Sequence, residues 1–163
     1  MAQGVEFGEN PRLDELFAQL QSKDGANAES EILLIFRKSG SDAMDLLLKR
    51  GLDALDAGSP RDAVWHFSAL IDHAPEFGEA YSGRAIAFYE LGELDMALQD
   101  IHTTLTFNSR HFRALVGLGF IQEELGNLDE ALRAYKIAYS LNPHMEGLKD
   151  AITRVESQIS ILH

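Results

Sequence analysis

Glycine returns at Gly58, Gly92 and Gly126, spaced 34 residues apart each time. Five residues after each comes alanine (Ala63, Ala97, Ala131), and four further on a large apolar residue (Phe67, Ile101, Tyr135). A second small phase, Gly51, Ala85 and Gly119, keeps the same spacing. Pro75 and Pro143 share a third, with Ser109 standing where a middle proline would be. The phrase Leu91-Gly92-Glu93-Leu94-Asp95-Met96-Ala97-Leu98 reads almost as Leu125-Gly126-Asn127-Leu128-Asp129-Glu130-Ala131-Leu132. A period of this length marks one supersecondary unit used again, and such units bury their apolar faces against their neighbours in a solenoid.

Within a unit the apolar spacing is helical. Leu47, Leu48, Gly51, Leu52 and Leu55 form one stripe. The glycine that follows suits a helix C-terminus, where a left-handed residue is wanted and only glycine adopts it freely. Pro60 comes next, at the first position of a second helix, where a missing N–H costs nothing. The two small phases are expected to face each other where the helices cross closely. On that register Ala97→Leu overpacks the joint.

These residues resemble the tetratricopeptide repeat, and a small bacterial example of it. The match covers residues 44–77, 78–111 and 112–145 without insertion. The resemblance implies an antiparallel helix pair per unit, hence an all-α α-α superhelix of three helix pairs. It departs from the family at the usual tryptophan, here Leu47, Tyr81 and Leu115, and at Ser109.

The flanks read as helices of other kinds. In residues 146–163, Leu148, Ala151, Ile152, Val155, Ile159 and Leu162 form a stripe opposite Lys149, Asp150, Arg154 and Glu156. That is the pattern of a capping helix with a polar outer face. Residues 1–43 read as an N-terminal extension of two helices. Asn10-Pro11 opens the first, striped by Leu13, Leu16, Phe17 and Leu20, and Lys23-Asp24-Gly25 reads as a turn. The second lies near 28–38 and is broken by Ser39-Gly40-Ser41-Asp42. Stacking as a degenerate fourth unit and folding back into the groove are both open to them.

Charge and composition exclude several classes. Lys+Arg 14 against Asp+Glu 26 leaves −12, so no nucleic-acid partner is expected, because phosphate neutralisation needs a basic face. The longest apolar run, Ile32–Phe36, is far short of a membrane span, so no membrane insertion is expected. Met1-Ala2-Gln3-Gly4 shows no secretory leader. The stretches Asp72-His73-Ala74-Pro75 and Arg110-His111-Phe112 resemble small repeat proteins of the proteobacterial envelope. That implies a bacterial periplasmic home, with its leader removed, the cytoplasm being the alternative. There is no cysteine, hence no thiolate metal site or cysteine nucleophile.

No catalytic constellation, cofactor fingerprint or metal site is read, so the chain is not expected to be an enzyme. The six histidines lack ligand spacing and are expected to be solvated or hydrogen-bonded. Gly117-Leu118-Gly119-Phe120 spells the carboxylate-binding loop of PDZ domains, yet falls mid-helix with Gly119 in a packing phase.

Function is therefore expected in the groove. The resemblance places the first helix of each pair on the concave side. The partner-binding residues so implied are Leu48, Lys49, Leu52 and Asp56, then Glu79, Ser82, Ile86, Tyr89 and Glu90, then Arg113, Val116, Phe120 and Glu123. Asp45, Leu55, Gly83, Gly117 and Glu124 lie on the same face. An apolar floor with an acidic rim suits a basic or amphipathic peptide or a protein domain. Some family members bind acidic C-terminal tails through a clamp of Lys, Asn and Arg. The matching positions here are Leu48, Leu52, Gly83, Arg113 and Gly117, which argues against that ligand. The expected function is a non-catalytic protein-interaction scaffold. The alternative is a self-assembling structural protein whose N-terminal helices enter a neighbour's groove.

Overall fold

The computed structural model describes residues 10–22 and 25–163, and among these every regular element is an α-helix. In chain order they are α1 (Pro11–Gln19), α2 (Ala26–Phe36), α3 (Asp42–Asp56), α4 (Pro60–His73), α5 (Gly78–Glu90), α6 (Leu94–Phe107), α7 (Phe112–Glu124), α8 (Leu128–Leu141) and α9 (Leu148–Leu162). The expected opening tetrapeptide, and Lys23-Asp24 of the expected turn, lie outside the described residues. The chain divides into two compact units, one spanning Leu33–Ser109 and the other combining Pro11–Ile32 with Arg110–His163. The stretch expected as a separate extension thus belongs partly to each.

In the first unit, Ser41 caps α3, its hydroxyl taking the Met44 N–H. Gly58 ends the hairpin turn at φ 71° and Pro60 starts α4. Helices α3, α4, α5 and α6 then pack in succession. The core gathers Leu48, Ala63, Phe67, Leu70, Phe77, Ala80 and Ala87. Phe67 is fully buried. A Cβ on Gly51 would sit 2.4 Å from its Cε1, and one on Gly83 would sit 2.4 Å from its Cζ. The small phase thus receives an aromatic ring from the second helix. A flat ring held between two backbones fills the joint at close-packed density.

Polar contacts tie the second pair to the first. Arg84 donates through Nε and Nη2 to Asp100 at 2.7 and 2.9 Å, and through Nη1 to the Ser68 hydroxyl at 3.1 Å. Asp100 is 4% exposed, so its charge depends on this forked partner. Thr104 donates to the Asp100 and Gly78 carbonyls.

In the second unit the ring-on-glycine device recurs. A Cβ on Gly119 would meet Tyr135 Cε1 at 2.5 Å, which is the packing role expected for that glycine. His111 is buried and its Nδ1 accepts the Ala114 N–H at 3.1 Å, capping α7. Helix α9 lays Leu148, Ala151 and Val155 inward and half-buries Ile152 and Ile159, but Leu162 of the expected stripe is 72% exposed, because it lies at the helix's last residue. At the ring-seat phase it carries Thr153, 34 residues after Gly119.

Helix α1 and the start of α2 complete this unit. Leu13, Leu16, Phe17 and Leu20 are all buried. Phe17 meets Phe112 edge to face at 6.2 Å, with the Arg110 guanidinium 4.7 Å from the Phe17 ring centre. Asp14 accepts from Arg110 at 2.7 Å. Gln21 donates to the carbonyls of Ser140 and Leu141, which the end of α8 leaves without helical partners. His144 Nε2 lies 3.2 Å from the Gln21 carbonyl.

Candidate functional site

The first-unit face is built on α3 and α5. Of its expected floor, Leu48 is only 2% exposed and belongs to the core cluster. It is a packing residue, because its position on α3 faces Phe67 and α4 as well as the groove. Leu52 is half-buried and Ile86 is 49% exposed. Glu79, Ser82 and Tyr89 are half-buried; Asp56 and Glu90 are exposed. Lys49 is exposed and donates to Asp53 at 2.6 Å, one turn along α3. Gly83 is buried beneath the Phe67 ring, so it contributes no contact surface.

Residues that sequence reasoning missed join this face. The end of α2 and the turn after it bring Leu34, Arg37 and Lys38 opposite α3, enclosing a cavity of about 420 Å³ over Leu48 and Leu52. Asp45, Lys49, Asp53 and Asp56 form its other wall. Asp45 is engaged there, accepting the Ser39 N–H at 2.8 Å and the Ser39 hydroxyl at 2.6 Å. The only hint in the sequence was the basic pair directly after the apolar run Ile32–Phe36.

The second-unit face is built on α7. Phe120 is 47% exposed and Val116 half-buried. Arg113, the one clamp-like residue, is exposed and lies 3.4 Å from Glu29 Oε1. Glu29 also accepts from Asn142 at 3.1 Å. A cavity of about 530 Å³ opens beside this pair, lined by Glu29, Arg113, Val116, His144, Met145 and Glu146.

Glu123, expected on the rim, is committed elsewhere. Arg154 of α9 grips it through Nε and Nη2 at 2.8 and 2.9 Å, and the Tyr135 hydroxyl donates to it at 3.0 Å. The Arg154 guanidinium first, and the Tyr135 hydroxyl second, hold its carboxyl below the usual range. Burial, and then the bond to Glu123, push the Tyr135 phenol up.

Among the described residues no three His, Asp or Glu side chains cluster as metal ligands, and no helix is long and apolar enough to cross a membrane. The half-exposed floors combine aliphatic and aromatic side chains with charged edges.

Hairpins that recur every 34 residues, with a ring seated on glycine in the first and third, define a helical-repeat protein. The chain belongs to the tetratricopeptide repeat family. Models of that repeat match residues 48–101 and 112–145. A TPR repeat-containing protein of Rhizobium etli is 30% identical over 153 residues, covering 91% of this chain and 75% of that protein. Among solved structures, the first TPR of Spaghetti (RPAP3) bound to an HSP90 peptide, SRMEEVD, aligns over 72% of this chain and 93% of its own, at 19% identity and a TM-score of 0.69. MamA aligns over 90% of this chain and 81% of its own, at 22% identity and a TM-score of 0.66.

Proposed function

We propose that the chain is a non-catalytic scaffold that holds a partner peptide or protein domain against the first helices of its repeats. The observation that carries this reading is the exposure of Ile86 on α5 and Phe120 on α7 at one and the same repeat phase. Large apolar side chains left half open, rimmed by charge, are the usual mark of a binding surface. Spaghetti, of the same fold, is seen with a peptide bound, which supports the reading. Preorganised helices spare the partner's recognition the cost of ordering the receptor. Exposed Asp56 and Glu90, and a net charge of −12, favour a partner with basic residues through faster encounter.

An acidic C-terminal tail is not the proposed ligand. At the five clamp-like positions Leu48 and Gly83 are buried in packing, and Arg113 faces the chain's own Glu29. Self-assembly through α1 is disfavoured too, since its apolar stripe is already buried within its own unit.

The test is affinity capture from host lysate with wild type beside Leu52→Glu/Ile86→Glu/Phe120→Glu. The triple variant is expected to keep its helical circular dichroism and lose the captured set. An unchanged set refutes the first-helix surface.

A further inference from the structure

The cavity between the end of α2 and α3 carries more specific information than the family fold implies. Its floor is apolar, made by Leu48 and Leu52, and Leu34 reaches over it while 59% exposed. Its two sides have opposite charge. Arg37 and Lys38 stand on the α2 side. On the α3 side Asp53 is balanced by Lys49 and the Asp45 carboxylate is held by the Ser39 N–H and hydroxyl, leaving Asp56 as the acid without a hydrogen-bonded partner. Neither Lys38 nor Asp56 has an ion-pair partner among the described residues. Arg37 Nε is the one buried side-chain nitrogen or oxygen there that lacks a hydrogen-bond partner.

An N–H out of reach of water and without an acceptor is held at a cost. An oxygen offered from within the cavity draws the guanidinium toward it and relieves that cost. Charge-assisted contacts of this kind are the strong ones, and arginine reads a carboxylate with both edge and angle. The opposite side repels a second carboxylate and welcomes an ammonium or guanidinium.

We infer that this cavity is a docking site for a partner peptide that seats one large apolar side chain on Leu34, Leu48 and Leu52, with an acidic neighbour toward Arg37 and Lys38 and a basic neighbour toward Asp56. The inference rests on the scaffold reading above and names the chemistry of one part of the partner. About 420 Å³ accommodates one such side chain with its adjoining peptide groups. The site therefore reads a short motif rather than a whole helix.

The test uses the full ¹⁵N-labelled chain and capped peptides followed by NMR. The probes are N-acetyl-Glu-Leu-Lys-amide and its reverse order Lys-Leu-Glu, compared with Glu-Ser-Lys, Glu-Leu-Glu and Lys-Leu-Lys. One of the two mixed-charge leucine peptides is expected to shift the amides of residues 34–38 and 48–56 saturably. The mixed-charge peptide of the opposite order and the three controls are expected to bind about tenfold more weakly or not at all. In Arg37→Glu the preference is expected to switch to Lys-Leu-Lys, a gain that a misfolded variant cannot produce. Equal binding of the serine peptide, shifts centred away from these residues, or an unswitched preference in Arg37→Glu overturns the inference. Those results leave the scaffold reading standing if the capture experiment still depends on Ile86 and Phe120. Loss of that dependence with the NMR result intact removes the broader reading while keeping this site.

Discussion

The ring of Phe67 occupies the place where a side chain on Gly83 would have to go, and it is pinned from the other side by Gly51. The phenyl group cannot retreat from either glycine without striking the other. Gly83→Ala is accordingly expected to destabilise. Overpacking costs roughly 1–3 kcal/mol and the better helix propensity of alanine returns somewhat under 1 kcal/mol, for a net loss of up to about 2 kcal/mol. Urea unfolding measures it. Phe67→Leu added to Gly83→Ala should cost less than the sum of the two singles, and strict additivity would show that the ring and the glycine do not meet.

Asp100 is nearly inaccessible and Arg84 is about four-fifths buried, so each is the other's main solvation. Asp100→Ala strands the guanidinium, at about 3 kcal/mol. Arg84→Met/Asp100→Leu should recover most of that loss, because an apolar pair needs no partner charge. A double variant as unstable as the single would mean that the damage lies in shape rather than charge.

The Glu123–Arg154 pair predicts a pH dependence for the seating of α9. Glu123 has a lowered pKa in the folded chain, chiefly from Arg154 and then from Tyr135. Its stabilising contribution is therefore complete above the unfolded value of about 4.3 and fades as pH falls through the lower folded value. Wild type should melt above Glu123→Gln at pH 7, and the gap should close between about pH 5 and pH 3. A gap that stays constant across that range contradicts the assignment.

Phe17 is the anchor of α1, touching Phe112 and lying under Arg110. Phe17→Ala should cost about 3 kcal/mol by leaving a cavity. Hydrogen exchange localises the effect. Amides of α1 and early α2 should lose protection while those of α4 and α5 keep theirs. Uniform loss across the chain would show that the two units unfold as one.

Much of the fold was legible because a repeated unit states its requirements several times. Gly58, Gly92 and Gly126 all take positive φ, at 71°, 77° and 79°, and Pro60 opens its helix as its chemistry demands. The first part of the α9 stripe, Leu148, Ala151 and Val155, was readable because a helix packs on the one before it. What stayed hidden depends on contacts without periodicity. The stripe of α1 shows that this helix is buried but not by what, and Phe112 lies 95 positions away. The rim assignment of Glu123 treated every first helix alike, whereas the last one has Arg154 across from it. Leu48 shows the limit of register itself: one helical position serves floor and core at once, and only packing density decides between them.

The distance along the chain between Asp14 and Arg110, 96 positions, has a consequence for biosynthesis. Neighbouring helices can pair as soon as both are made, but α1 must wait for Arg110 and Phe112. At 5–20 residues per second the delay is of the order of 5–20 s. Throughout it Leu13, Leu16, Phe17 and Leu20 lack their native cover. The apolar stripe of α1 is therefore covered only after the hairpins between it and Phe112 have been made.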